Sequence, residues 1–226
     1  MAYANGAIPA SALKRSTFGV DLTKAAANSA NRLNALYALL HGKRLTATDG
    51  YRSLAIQKKI FLERYAKGSL AGKAGYTTDV RSYLGAAYTR RTGTAAAAIP
   101  GTSNHGLGLA LDISALGGFD GAAFKRLEAI AADYGWTNTE GRSVGESWHW
   151  VYSRAHDKRR PVKYVVKAKT LGSTKAALYR GKATGKANIT RHRALGKTLN
   201  IIQITGKWAQ TAKGDWIKLS KIKKAK

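Results

Sequence analysis

The sequence predicts an α+β domain over residues 1–158, followed by a small all-β domain over residues 159–226. Three observations support this division. Apolar side chains recur at helical spacing in three upstream segments, with short strand candidates between them, whereas short β-rich runs separated by glycine turns occupy the end of the chain. Acidic residues also become scarce after the charged stretch SRAHDKRRPVK, residues 153–163, so the boundary is placed there.

Three helices are predicted in the first domain. Residues 21–41 repeat apolar side chains with the helical period behind a capping residue, either Asp21 or Thr23. Residues 53–67 and 121–134 show the same amphipathic pattern.

Short strands are predicted at residues 44–48, 110–113 and 148–152, which are rich in apolar, β-branched or aromatic residues and are bounded by Gly or Asp. Residues 68–104 are rich in Gly, Ala, Thr and Ser and have no clear period, so we expect a long, partly structured excursion there. Loops of that length often border active sites.

The second domain reads as a small β-barrel of roughly 60 residues. Its strand candidates are separated by glycine-containing turns and lie at residues 164–166, 199–204, 207–210 and 215–219. The final segment, KIKKAK, is expected to be frayed.

The chain of 226 residues carries a net charge of +27, which is unevenly distributed. Residues 161–226 hold 17 Lys and Arg against one acid, Asp215, whereas residues 1–160 hold 22 against 11 acids. Such a field attracts polyanions, and the candidates are nucleic acid, anionic lipid surfaces and teichoic-type wall polymers. No apolar run reaches the roughly 20 residues of a membrane-spanning helix, so we expect a soluble protein without membrane insertion.

The sequence contains no cysteine, which excludes disulfides and thiolate ligands and leaves His, Asp and Glu for any metal chemistry. The N-terminus, MAYANGAIPASALKR, has no basic segment ahead of an apolar one, so a secretory signal is not predicted.

A catalytic zinc site is predicted from two segments, SNHGLGLALD (103–112) and ESWHWVY (146–152). Catalytic zinc keeps three protein ligands, drawn here from imidazole and carboxylate groups, and leaves a fourth position open to water. His105, Asp112 and His149 supply that set.

The sequence around these residues suits the site. Gly106 and Gly108 permit a tight turn after His105, so that His105 and Asp112 can face one cavity. Asp112 lies in the apolar strand LALDI, where an unpaired carboxylate is costly, and a metal ion would be its partner.

Glu146 is the predicted catalytic base. Strict strand alternation would put Glu146 and His149 on opposite faces, so we expect Glu146 on the loop that enters the strand. A zinc-bound water titrates at about pH 7, and a neighbouring carboxylate can take its proton and pass it to a leaving amine. These residues predict metal-assisted amide hydrolysis.

The remaining histidines, His41, His156 and His192, are interpreted as structural, because isolated loop histidines are usually hydrogen-bonded residues rather than ligands. Trp148 and Trp150 flank His149, and packing is the simpler interpretation of such an alternating strand. Trp148 is nevertheless kept as a candidate substrate-binding residue.

The two segments resemble the family of D-alanyl-D-alanine carboxypeptidases and L-alanyl-D-glutamate endopeptidases, in the zinc peptidase group that includes lysostaphin and the hedgehog proteins. The resemblance covers residues 5–155 and implies a small antiparallel sheet with flanking helices. The family pattern S-x-H-x-x-G-x-A-x-D followed by E-x-W-H is met at every fixed position, by Ser103, His105, Gly108, Ala110, Asp112, Glu146, Trp148 and His149.

The segment DGYRSLAIQ, residues 49–57, extends the resemblance upstream. It implies that Arg52 stabilises the oxyanion at the scissile carbonyl, and that Gln57 and Ser103 support the site and bind substrate. The alternative for Arg52 is a residue at a helix N-terminus that is simply solvated or paired with Asp49.

The C-terminal segment GKWAQTAKGDWIKL resembles the last hairpin of a bacterial SH3-like domain, which implies a module that binds cell-wall peptide or polymer. The alternative is a basic, partly disordered tail that adheres to any polyanion. A basic, cysteine-free wall peptidase that lacks a signal peptide and carries such a module resembles a bacteriophage endolysin. This implies a monomer made in the host cytoplasm, which reaches the bacterial wall after membrane permeabilisation.

The leading hypothesis from sequence is a zinc metallopeptidase that hydrolyses the peptidoglycan stem peptide between L-alanine and D-glutamate. The alternatives are a D-alanyl-D-alanine carboxypeptidase with the same metal site, an inactive wall-binding domain that keeps zinc for structure, and a nucleic-acid-binding protein. Glu146 argues against the inactive domain. The C-terminal aromatic residues do not interleave with Arg and Lys, which argues against a nucleic-acid stacking platform.

Overall fold

The computed structural model describes residues 3–166, 175–182, 188–194 and 197–224. The helices are α1 (Lys24–His41), α2 (Leu54–Arg64), α3 (Ala122–Ala131) and α4 (Thr139–Val144), with short 3₁₀ turns at Ala10–Ala12 and Leu219–Lys221. The strands are β1 (Leu13–Arg15), β2 (Asp21–Thr23), β3 (Ala47–Asp49), β4 (Tyr65–Lys67), β5 (Tyr76–Tyr83), β6 (Ala86–Arg91), β7 (Ala110–Ile113), β8 (Tyr134–Thr137), β9 (His149–Asp157), β10 (Val162–Val166), β11 (Lys175–Tyr179), β12 (Ile189–Ala194), β13 (Thr198–Thr205), β14 (Trp208–Thr211), β15 (Trp216–Lys218) and β16 (Ile222–Lys224).

The described residues fall into two compact units. The first takes those within Met1–Ala27, Thr46–Phe124 and Thr137–Tyr152, and the second takes those within Asn28–Leu45, Lys125–Trp136 and Ser153–Lys226. The predicted α+β class is confirmed by this mixture of sheets and a few helices. The predicted domain boundary at residues 158 and 159 stays a prediction.

Antiparallel sheets build the framework. Strands β1 and β2 pair with each other, β4, β6 and β5 form a three-stranded sheet, and a four-stranded sheet has the order β3-β7-β9-β8. The C-terminal strands form a seven-stranded sheet of order β12-β11-β15-β14-β13-β10-β16, which packs a small apolar core of its own. The described strands of this sheet do not close, so the SH3-like barrel is not confirmed.

Helix α2 illustrates how local sequence sets the elements around the site. The Ser53 hydroxyl accepts a hydrogen bond from the Ile56 backbone N–H at 3.3 Å, which caps the first turn. Gln57 and Phe61, one helical turn apart, are the buried residues of the helix. The helix ends at Arg64 instead of residue 67, because Tyr65–Lys67 pairs with β6 as a strand.

Two other sequence predictions need correction for similar reasons. Helix α1 begins at Lys24 instead of residue 21, because Asp21–Thr23 pairs with β1. The stretch 68–104 contains the β5–β6 hairpin, whose turn at Leu84 and Gly85 has φ values of 50° and 74°. Consecutive left-handed residues are typical of tight hairpin turns.

The C-terminal segment is more ordered than the sequence predicts. Within the predicted frayed tail, Ile222–Lys224 pairs with β10.

No helix in the described part of the chain combines the length and apolar character needed to cross a bilayer.

Candidate metal centre

One row across the four-stranded sheet brings polar side chains together. Asp49 of β3 pairs with Asp112 of β7, and Asp112 pairs with His149 of β9. Directly paired residues of antiparallel strands project to the same face, so these side chains lie side by side. All four residues of β7 are buried, which places the Asp112 carboxylate in an apolar strand, as the sequence predicts.

His105 joins this row from the loop before β7. The loop is tight: the Gly108 N–H donates to the His105 carbonyl at 3.0 Å, and Gly108 has a φ of 61°. A Cβ on Gly106 would lie 1.8 Å from the Asn5 side-chain oxygen and 2.3 Å from Gln57 Nε2, so both side chains would have to move to admit a larger residue. The predicted role of Gly108 in the turn is therefore confirmed, whereas Gly106 leaves room for neighbouring side chains.

The three predicted ligands converge on one point. His105 Nε2 and His149 Nδ1 lie 3.3 Å apart, and Asp112 Oδ1 lies 3.2 Å from the first nitrogen and 3.0 Å from the second. Donor atoms bound to a tetrahedral zinc at about 2.0–2.1 Å are separated by about 3.3 Å. All three side chains are buried and line one cleft, and three protein ligands leave the fourth position of a tetrahedral zinc to another ligand. The three residues thus form a complete donor set for zinc, which confirms the predicted cofactor.

Polar groups behind the two histidines favour the ring tautomers that a metal needs. His105 Nδ1–H donates to the Gly50 carbonyl at 2.6 Å, which leaves the lone pair of Nε2 for a metal. His149 Nε2 is buried and makes no hydrogen bond to any described residue, but Glu140 Oε1 lies 3.4 Å away. A proton on Nε2 would face this carboxylate and leave Nδ1 for the metal.

Burial by itself raises the pKa of the Asp112 carboxyl group. Hydrogen bonds from His105 and His149, together with the charge of Arg52, outweigh this effect, and the net pKa lies well below its ordinary value. Asp112 is therefore held as a carboxylate, the form that binds a metal.

Arg52 connects the acids of the row. Its Nε donates to Asp49 at 2.7 Å and its Nη2 donates to Asp112 at 2.8 Å. The pairing with Asp49 that the sequence left as an alternative is thus present, but Arg52 also lines the cleft beside the metal ligands. Its Nη1 donates to none of the described residues, so one edge of the guanidinium is available to a substrate oxygen.

Glu146 lies on the loop between α4 and β9, as the sequence predicts. The His149 N–H donates to the Glu146 carbonyl at 3.2 Å, which closes a turn before the strand begins at His149. The half-buried Glu146 side chain lines the cleft, and none of the described residues donates a hydrogen bond to its carboxylate. Burial raises the pKa of Glu146, as is common for a general base.

The sequence did not identify Glu140 as part of the site. Glu140 lies in α4, where its Oε2 accepts a hydrogen bond from the Asn104 side chain at 2.6 Å while Oε1 approaches His149. This arrangement matches the outer carboxylate that commonly orients a metal-bound histidine. Only the folding of α4 against the His105 loop brings these residues together, so sequence spacing carries no signal for it.

The predicted substrate-binding residues all line one cleft of about 260 Å³ with the ligands. Ser103 Oγ accepts a hydrogen bond from the His105 N–H at 3.2 Å. The Gln57 amide is occupied by protein partners, Asn5, the Arg52 carbonyl and the Gly101 N–H, which suits its predicted supporting role. Trp150 is fully buried, whereas Trp148 is 44% exposed at the cleft and does not pack into a core.

The sequence analysis interpreted the three remaining histidines as structural residues. His41, His156 and His192 lie outside the metal-binding group found among the described residues. They are candidates for neither the metal nor the cleft.

Two imidazoles and a carboxylate that converge on one point, with a glutamate and an arginine on the same cleft, form the arrangement expected of a metal-dependent hydrolase. A family model described as VanY, D-alanyl-D-alanine carboxypeptidase, matches residues 19–155. The chain belongs to this D-alanyl-D-alanine carboxypeptidase family.

Two solved peptidase structures are similar to this chain. One is a glutamate-to-alanine mutant of the vancomycin resistance D,D-pentapeptidase VanY from a VanB-type resistance cassette, in complex with Zn(II); it is 23% identical, with a TM-score of 0.40, and the match covers 64% of this chain and 82% of that one. Another is the LD-carboxypeptidase LdcB, 25% identical with a TM-score of 0.45, where the match covers 65% of this chain and 70% of that one. No curated protein matches the sequence.

Proposed function

We propose that this protein is a zinc-dependent peptidase that removes the terminal D-alanine from the D-Ala-D-Ala end of the peptidoglycan stem peptide. The observation that carries the proposal is the convergence of His105, Asp112 and His149, with Glu146 and Arg52 on the same cleft, inside the segment that matches the family. Sequence analysis ranked the L-alanyl-D-glutamate endopeptidase first, but the family match favours the carboxypeptidase.

Each group in the cleft has a distinct task. Zinc held by His105, Asp112 and His149 would supply Lewis acidity, which polarises a carbonyl and makes a water molecule acidic near pH 7. Glu146 takes a proton from the attacking water and returns it to the leaving amine. Arg52, fixed by Asp49 and Asp112, donates from its remaining edge to the carbonyl oxygen as negative charge develops there.

A second candidate is the endopeptidase that cleaves between L-alanine and D-glutamate. The cleft wall includes Trp148 and Val144, which are 44% and 55% exposed and form an apolar rim beside the metal ligands. Such a rim suits a substrate that extends beyond a terminal dipeptide.

One digestion separates the two candidates. The protein is incubated with a purified stem pentapeptide, and the products are analysed by mass spectrometry with and without a chelator. Free D-alanine indicates the carboxypeptidase, whereas a new amino group on D-glutamate indicates the endopeptidase. Identical spectra before and after incubation would refute both.

We also propose that the C-terminal sheet is an SH3-like module that binds anionic wall polymers. The whole chain would then be a monomeric phage endolysin that acts at the wall from the cytoplasmic side. Support comes from the 17 basic residues against one acid in residues 161–226 and from the separate apolar core of this sheet. Sedimentation with purified walls, before and after removal of teichoic polymers, tests the module. Equal binding to both preparations would contradict a role in polymer recognition.

A further inference from the structure

An arginine cluster borders the cleft next to the metal centre. Arg64 at the end of α2 and Arg81 in β5 both line the cleft that contains the metal ligands. Residues 95–98 also line this cleft and are here called the cleft loop. Each guanidinium donates to a carbonyl of this loop: Arg64 to Ala96 at 3.0 Å and Arg81 to Ala97 at 2.7 Å. The loop therefore fixes both positive charges at the wall of the cleft.

One carboxylate is shared by Arg81 and Arg90 of β6, which completes the arginine cluster with Arg64. Asp79 pairs with Arg81 at 3.1 Å and with Arg90 at 3.2 Å, and it also accepts a hydrogen bond from the Tyr65 hydroxyl at 2.6 Å. Asp79 is thus occupied, and the cluster carries more positive than negative charge.

Arg64 is the unneutralised member. Among the residues that the structure describes, no carboxylate lies within 4 Å of its guanidinium, and its side chain donates only to Ala96. Nε and Nη2 therefore remain available as a planar pair of donors, the geometry that binds a carboxylate through two hydrogen bonds.

We propose that Arg64 binds the free carboxylate of the substrate residue that leaves with the new amino group. This inference rests on the proposed function and adds a substrate feature to it. The leaving D-alanine of a D-Ala-D-Ala terminus carries such a carboxylate, and a γ-linked D-glutamate also keeps its α-carboxylate beside the scissile amide. The same cation would therefore serve either cleavage.

Paired substrates test the inference directly. The ratio of kcat/KM for a peptide ending in D-Ala-D-Ala as free acid to that for its C-terminal amide is measured with the wild-type protein and with Arg64→Gln. We expect the wild type to favour the acid by about 10–100-fold, the range for a hydrogen bond between charged groups, mainly through KM. Arg64→Gln should bring the ratio close to one, and Arg64→Lys should restore part of it.

Controls separate this role from a structural one. Lys59→Gln removes a positive charge from an exposed position of the same helix and should keep the wild-type ratio. Binding of both peptides to the Glu146→Gln protein, measured by calorimetry, should show the same preference without turnover. The γ-linked D-glutamate peptide and its α-amide are compared in the same way.

The outcomes are distinguishable. If the wild-type protein cleaves acid and amide equally, or if Arg64→Gln keeps the wild-type ratio, the carboxylate inference is wrong while the peptidase proposal stands. If no peptide of either series is cleaved or bound, the proposed function fails, and this inference fails with it.

Discussion

Glu140 Oε1 lies 3.4 Å from His149 Nε2, the ring nitrogen that points away from the other two metal ligands. The Asn104 amide holds the second Glu140 oxygen at 2.6 Å. The carboxylate is therefore positioned to keep the Nε2 proton in place and the Nδ1 lone pair directed at the metal.

Replacement of Glu140 by Gln should weaken zinc binding. Outer carboxylates of this kind typically contribute about 10–100-fold to metal affinity, and we expect a loss in that range. Competition with a chromogenic chelator gives the affinity directly. Glu63→Gln, at an exposed position of α2, is the matched control. An unchanged zinc affinity in Glu140→Gln would show that Glu140 does not orient His149.

Gly50→Ala should disturb the support of His105. An added Cβ would lie 2.6 Å from the Asp21 carbonyl oxygen, so the backbone at residue 50 must shift, and this backbone carries the carbonyl that accepts from His105 Nδ1. We expect a loss of about 1–3 kcal/mol in unfolding free energy, together with weaker zinc binding. Denaturant unfolding and chelator competition measure the two effects. Gly181→Ala, where nothing lies near the added Cβ, should change neither.

Glu146→Gln should stabilise the zinc-free protein at neutral pH. Burial raises the pKa of Glu146, so folding disfavours its charged form, and this unfavourable contribution appears as pH rises through the carboxyl pKa. The neutral glutamine lacks this unfavourable contribution to folding. Unfolding free energies of the chelated proteins should therefore be equal in acid and diverge in favour of the variant as pH rises. A difference that is constant with pH, or that favours the wild type at neutral pH, contradicts a buried Glu146.

The buried pair of Arg32 and Asp157 should be costly to break. Arg32 Nη2 lies 2.5 Å from Asp157 Oδ2, and both side chains are almost fully buried. Asp157→Asn leaves the guanidinium without its charged partner, at a cost of about 3–5 kcal/mol. The double variant with Arg32→Met and Asp157→Leu removes both charges and should lose less unfolding free energy than Asp157→Asn. Equal losses of unfolding free energy in the two variants would contradict a cost that arises from the unpaired Arg32 charge.

The metal ligands were predictable because they lie in short motifs whose chemistry is restricted. A cysteine-free chain leaves His and carboxylates, the apolar strand around Asp112 predicts burial, and the loop position of Glu146 follows from strand alternation. Glu140 and Arg64 were not predictable in this way. Glu140 meets His149 only through the packing of α4, and the Arg64 cluster depends on the pairing of β5 and β6, which the Ala- and Gly-rich sequence did not indicate.

The C-terminal region shows the same division between local and long-range information. The positions of β13, β14 and β15 follow from apolar runs between glycine turns, and the structure places strands there. Their order depends on long-range pairs such as β10 with β16 and β11 with β15. No local pattern encodes such pairs, because each strand edge can accept several partners.

The dependence of peptide hydrolysis on zinc tests the central claim most directly. Protein freed of metal by a chelator is titrated with zinc, and the rate of product release from a stem peptide is recorded at each addition for the wild type, Glu146→Gln and His105→Ala. We expect the wild-type rate to rise from near zero and level off at about one zinc per chain. Glu146→Gln should bind the same amount of zinc but release product at least about 100-fold more slowly, and His105→Ala should lose both binding and activity. A wild-type rate that is the same before and after zinc addition would contradict the account.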